Sequence, residues 1–79
     1  MKRRVTVEQA FGAVLRELRT GTGKTQETVA LDAGLDRTFI SMLERGLRQP
    51  TLETVLSLSR ALGVTASKIV EKVETLLGN

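Results

Sequence analysis

Arg37, Thr38, Ser41, Met42 and Arg45 are the residues whose types and spacing form a coherent chemical surface. On a helix of about 3.6 residues per turn, Thr38, Ser41, Met42 and Arg45 form one stripe opposite Ile40. Asp36, Leu43 and Glu44 fall on the Ile40 side. Arg37 follows Asp36 directly and leaves from the helix tip. A guanidinium fork, two hydroxyls and a thioether recognise a partner by hydrogen bonds and contact; they do not break bonds. Catalytic chemistry has no better home elsewhere. The chain has no cysteine and no histidine, which removes thiolate sites, the usual zinc sites and a Ser-His-Asp triad. Thr20-Gly21-Thr22-Gly23-Lys24-Thr25 ends like a phosphate-binding loop. That loop needs a glycine where Leu18 stands, and a strand before it. The stretch reads instead as an inter-helix loop in which Thr25 caps the next helix. The expectation is a recognition protein, not an enzyme, with no cofactor and no metal.

Short helices must position this stripe. One runs from Gln26 to about Ala33 and is broken by Gly34; Leu35 points inward, and Asp36 caps a second that ends at Gly46. Ala30 is small where the two must cross closely. Helix, glycine turn and capped helix with a mixed polar face is how a helix-turn-helix presents a helix to the DNA major groove. Arg37 can then donate twice to guanine O6 and N7, and Thr38 can bond a base edge or touch a thymine methyl. Ser41 and Met42 lie one turn further along. Two roles fit Phe39 on the flank: packing against helix 4, or meeting a thymine methyl.

The remaining elements follow in order. Thr6-Val7-Glu8-Gln9 is a capping box. It opens helix 1, with Val7, Phe11, Val14, Leu15 and Leu18 on its core face and an end near Arg19–Thr20. Pro50 bars helix continuation through the loop Leu47–Thr51. Thr51 caps helix 4, Leu52–Leu62, whose Leu52, Val55, Leu56, Leu58 and Leu62 span so wide an arc that it should be the most enclosed. Thr65 caps helix 5, Ala66–Leu77, with Ile69, Val70, Val73, Leu76 and Leu77 over a broad face. The fold class is all-α, five helices, one domain over 1–79. Residues 1–5 form a basic arm, either a frayed tail or a reach toward phosphates or the minor groove.

Net charge is +3, and residues 1–49 hold nine Lys/Arg against six Asp/Glu, while residues 50–79 hold three of each. The excess positive charge lies in the half with the helix-turn-helix, as a phosphate polyanion would favour. No apolar run nears the ~20 residues of a membrane span. The Lys2-Arg3-Arg4 start leads into no apolar signal core. The expected location is the cytoplasm.

Gln26, Ala30, Gly34, Leu35, Ile40 and Leu43 sit at the spacing of the lambda-repressor-like (Cro/Xre-type) helix-turn-helix family, and Glu44-Arg45-Gly46 resembles that family's ending of the recognition helix. The string Leu35-Asp36-Arg37-Thr38-Phe39-Ile40-Ser41 resembles the controller proteins of restriction–modification systems. The resemblance implies a transcriptional regulator, a repressor or controller, that binds double-stranded DNA. It implies that Gln26 meets a phosphate at the start of helix 2, with Thr25 and Lys24 beside it. It likewise favours phosphate contacts for Arg45, Arg48 and Gln49, and implies a structural pair of Arg19 with Glu44. One such helix covers few base pairs, so a homodimer on a palindromic operator follows, with half-sites ~34–36 Å apart. The resemblance places that dimerisation on helix 5, residues 66–77, through Ile69, Val73, Leu76 and Leu77, chiefly the last turn. The alternative is an antitoxin-type interaction module that also binds DNA; five helices leave little chain for its extra segment.

Overall fold

The computed structural model describes residues 4–78. Most of the expected basic arm, Met1–Arg3, lies outside the described residues; Arg4 and Val5 are exposed. Five helices follow in order: α1 (Val7–Thr22), α2 (Gln26–Ala33), α3 (Arg37–Glu44), α4 (Leu52–Leu62) and α5 (Ala66–Leu77). No strand occurs among the described residues.

Each helix starts where a short polar side chain can satisfy its free N–H groups. Thr6 accepts from the Gln9 N–H at 3.0 Å while the Gln9 side chain accepts from the Thr6 N–H at 3.0 Å. Thr25, Asp36, Thr51 and Thr65 cap the other four, each accepting from a first-turn N–H at 3.1 Å. Such caps contribute about 1 kcal/mol each. Between α2 and α3, Gly34 takes the left-handed conformation (φ 71°), and the Leu35 N–H returns to the Ala30 carbonyl at 2.8 Å. A β-carbon there would be strained, which is why the tight turn falls on a glycine.

The core draws on every helix. Leu15, Ile40, Leu43, Leu58 and Ile69 are its largest fully buried side chains, with Val14 and Val29 beside them. α1 packs on α3 and α5, and α2 packs on α3 and α4, so the two helices of the turn rest on separate supports. No helix of the described residues is long and apolar enough to cross a membrane.

Three expectations need correction. α1 runs on to Thr22 and is closed by Gly23, two residues past the expected end. The Thr20 and Thr22 hydroxyls bond back to carbonyls within the last turns, at 2.9 and 2.7 Å, and keep the chain helical. Val7 is 47% exposed because the first turn of α1 overhangs the core. On α4, Leu52 is 72% and Leu56 42% exposed. The helix is covered by α1, α2 and α5 on one side only, so its apolar arc is wider than its cover.

The close approach of α1 to α3 depends on Gly12. A β-carbon there would fall inside contact distance of the Leu43 carbonyl oxygen and 2.8 Å from that of Glu44. Backbone atoms at a helix end cannot rotate away as a side chain tip can. Gly12→Ala is therefore expected to lower stability by about 1–3 kcal/mol, the usual cost of overpacking. Urea denaturation measures it, and an unchanged midpoint would contradict the stated approach.

Candidate nucleic-acid interface

Of the four apolar residues of α3, Ile40 and Leu43 turn fully into the core, which leaves the opposite stripe toward solvent. Arg37, Thr38 and Arg45 are exposed, and Ser41 and Met42 are half-buried. Phe39 is half-buried and packs against the core. Arg48 and Gln49 are exposed in the loop that follows. From Arg37 to Gln49 the only carboxylate is Glu44, and it is turned inward with its side chain 4% exposed. Among the described residues, Arg37, Arg45 and Arg48 make no ion pair. The outward side is thus rich in hydrogen-bond donors and net positive from Arg37 to Gln49, with the exposed Asp36 carboxylate at its N-terminal edge.

Glu44 is the hub of a network across three helices. Arg19 of α1 grips it with two bonds, Nε to Oε2 at 2.6 Å and Nη2 to Oε1 at 3.0 Å, and donates its Nη1 to the Lys24 carbonyl at 3.0 Å. Gln26, the first residue of α2, donates Nε2 to Glu44 Oε1 at 3.0 Å. Its amide oxygen accepts from Arg37 Nη1, also at 3.0 Å. No buried side-chain nitrogen or oxygen among the described residues lacks a partner. The hydrogen bonds to Glu44 raise the Arg19 pKa most; burial opposes them by lowering it, and the Glu44 charge adds a smaller raising effect. A raised pKa on a cationic group stabilises the fold at every pH below the ordinary arginine value and is lost only above it. The pair therefore keeps its arginine charged over the whole working range.

Lys24, expected beside a phosphate, is engaged within the protomer in the free structure. Its Nζ donates to Asp32 Oδ2 at 2.9 Å and to the Ala61 carbonyl at 2.8 Å. Ala61 lies in the last turn of α4, where carbonyls have no partner in the helix and attract a cation. Lys24 is a tether between the α1–α2 junction and α4. Thr25 spends its hydroxyl on the α2 cap and on Thr28. On α5, Ile69 is 1% and Val73 9% exposed. Both pack into the protomer's own core and also line the floor of an open pocket beside Phe11, Leu52 and Val70. Leu77 is half-buried against the core, and Leu76 is 48% exposed.

Sequence reasoning missed Gly12 and the Lys24 tether. A glycine within the apolar pattern of a helix signals a close backbone approach, and Gly12 carried that signal. Lys24 meets a carbonyl 37 residues away, and no local pattern announces such a contact.

The helix-turn-helix family HTH_3 matches residues 15–69. Control protein C.BamHI from Bacillus amyloliquefaciens is 36% identical over 70 residues, spanning 87% of this chain and 84% of that protein. Among solved structures, the restriction–modification controller protein C.AhdI from Aeromonas hydrophila is 42% identical, with a TM-score of 0.77 over 78% of this chain and 94% of that one. The controller protein C.Esp1396I, solved as a tetramer in complex with its natural 35 base-pair operator, is 27% identical, with a TM-score of 0.83 over 92% of this chain and 96% of that one.

Two outcomes follow from the geometry. Arg19→Met and Glu44→Leu should each cost about 3 kcal/mol, because each strands a buried partner. The double variant should cost clearly less than the sum; simple additivity in denaturation would mean that the pair is not coupled. Lys24→Met should lower stability by about 1–2 kcal/mol while leaving the salt dependence of any polyanion binding unchanged. A stable variant whose salt slope falls by about one would return Lys24 to the phosphates.

Proposed function

The chain belongs to the helix-turn-helix family of DNA-binding transcriptional regulators, not of enzymes, and from that premise we propose that it binds a palindromic operator as a homodimer and acts as a restriction–modification controller. α3 enters the major groove. Arg37 reads a guanine by its bidentate fork, and Thr38, Ser41 and Met42 meet neighbouring base edges. Arg45, Arg48 and Gln49 lie along one phosphate strand, and the N-terminus of α2, with Thr25 and Gln26, meets another phosphate. The observation that carries this reading is the one-sided charge of the turn. Three exposed arginines between Arg37 and Arg48 have no ion pair among the described residues, while the single carboxylate of that stretch is sequestered.

Dimerisation is supported by an apolar groove between α4 and α5, lined by Leu52, Val55 and Val70 and continued by Val7 and Pro50. Leu52 is 72% and Val70 48% exposed, so the groove has apolar walls without a cover in one protomer. This moves the proposed interface from the last turn of α5 to the α4–α5 groove, with Leu76 as a further exposed contact. A homodimer on a palindrome requires a two-fold contact that sets two such helices on successive turns of one DNA face. The controller relatives, and the relative solved on its operator, support the DNA partner and the controller role.

Selection of bound duplexes from a random DNA pool tests the reading. The expected motif is two-fold symmetric, and affinity for it should fall steeply with salt, by about 0.9 in log–log slope per neutralised phosphate. Val70→Asp should sediment as a folded monomer and bind one half-site weakly. A flat salt response would remove the DNA reading. An asymmetric motif, or a Val70→Asp variant that remains a dimer, would remove the proposed symmetry or its interface.

A further inference from the structure

We propose that the exposed face of α4 is a self-complementary surface on which Glu53 of one protomer meets Arg60 of the partner subunit, fixing the register in which two copies of this chain pair. The inference rests on the homodimer reading and names the contacts that would set it. Leu52, Glu53, Leu56 and Arg60 fall within about 100° of arc on α4, at the turn of an ordinary helix. All four are exposed, and Leu56, 42% open, lies in the middle of the stripe. The order along the helix is acid, apolar, base, with Glu53 in the first turn and Arg60 in the last. Neither charge has an ion-pair partner among the described residues. Two turns, about 10 Å of helix axis, separate them, beyond the one-turn spacing at which side chains of one helix pair.

A two-fold axis supplies the missing partners. Set at right angles to α4 between Leu56 and Ser57, it runs the partner subunit's helix antiparallel to the first. Positions equally distant from the axis then face each other, and Glu53 and Arg60 are equally distant from it. An isologous contact repeats every pairing. Two ion pairs therefore flank a centre where Leu56 packs on Leu56 of the partner subunit, and the small Ser57 lets the helices approach. Leu52 is also a wall of the α4–α5 groove, so the stripe is continuous with the apolar surface left open in one protomer. Parallel helices would set Glu53 on Glu53 and Arg60 on Arg60, and that repulsion selects against them. An acid at the start of α4 and a base at its end also suit the helix dipole. That role needs no second copy, and the two roles differ in what a second chain can repair.

Sedimentation equilibrium of the full chain at low salt, where such pairs are least screened, tests the pairing. It compares wild type, Glu53→Arg, Arg60→Glu, the double variant, and an equimolar mixture of the two single variants. Each single variant sets like charges face to face twice and should weaken the dimer about two- to thirty-fold, the range that two exposed pairs supply. The double variant should recover most of that loss. The mixture should form heterodimers in which both contacts again join arginine to glutamate, tighter than the dimer of either variant alone. A mixture that dimerises no better than its components, as a dipole role alone would give, overturns the proposal; so do single variants with unchanged dimerisation. If wild type is monomeric both alone and on the selected duplex, the homodimer reading has failed and the proposal falls with it. A dimer broken by Val70→Asp yet indifferent to both charge reversals leaves the homodimer standing and this register wrong. Should a reversed variant not fold, Glu53→Gln and Arg60→Gln replace the pair. Their effects on dimerisation should be non-additive in the double variant, and simple additivity would overturn the proposal.

Discussion

The Glu44 carboxylate sits 4% exposed at the end of α3 and accepts three hydrogen bonds, two from Arg19 and one from Gln26. A charge that far from water is tolerated only when its partners are complete and well placed. Those partners come from α1 and α2, so the three helices cannot shift relative to one another without exposing the cost. Gly12 acts at the same spot from the other side, since its missing β-carbon lets α1 approach the Leu43 and Glu44 carbonyls. A polar lock and a steric allowance converge on the last turn of α3. α3 is therefore held from its buried end, and its outward face is left out of the lock.

Several arginines and lysines are engaged within the protomer. Arg19 and Lys24 are spent inside the protomer, one on Glu44 and one on Asp32 and the Ala61 carbonyl. Lys72 reaches Glu17 at 3.6 Å and ties α5 to α1. Among the described residues, Arg37, Arg45 and Arg48, on α3 and the loop after it, make no ion pair, nor do Arg4, Arg16 and Arg60 elsewhere. A net charge of only +3 can still leave the Arg45–Arg48 end of this side positive, because Glu44 is enclosed, whereas Asp36 and Glu27 stand exposed near Arg37. For a DNA-binding surface this placement governs phosphate attraction more than the total charge does.

What the sequence made legible was local. The five caps, Thr6, Thr25, Asp36, Thr51 and Thr65, and the Gly34 turn each depend on a few adjacent residues. They located the helices and the turn with small error at the ends. Burial was legible where one face meets one neighbour, as for Ile40 and Leu43. It held for Ile69 and Val73 on the apolar face of α5, and it failed where an apolar arc was wider than its cover, so that Leu52 and Leu56 are exposed. Periodicity reports which residues share a face; which helix lies over that face is a property of the whole chain. The roles of Lys24 and Gln26 were hidden for the same reason, since their partners lie up to 37 residues away.

Exchange of the Arg19 side-chain Nε–H with solvent, followed by NMR in the free protein, tests the central claim that Glu44 locks α1, α2 and α3 together. That hydrogen points at Glu44 Oε2 over 2.6 Å. Its signal should be shifted from the ordinary arginine position and protected from exchange. In Glu44→Leu the protection should vanish together with that of the Gln26 side-chain amide. An Arg19 Nε–H that exchanges as fast as that of an exposed arginine such as Arg48 in the wild-type protein would contradict the account.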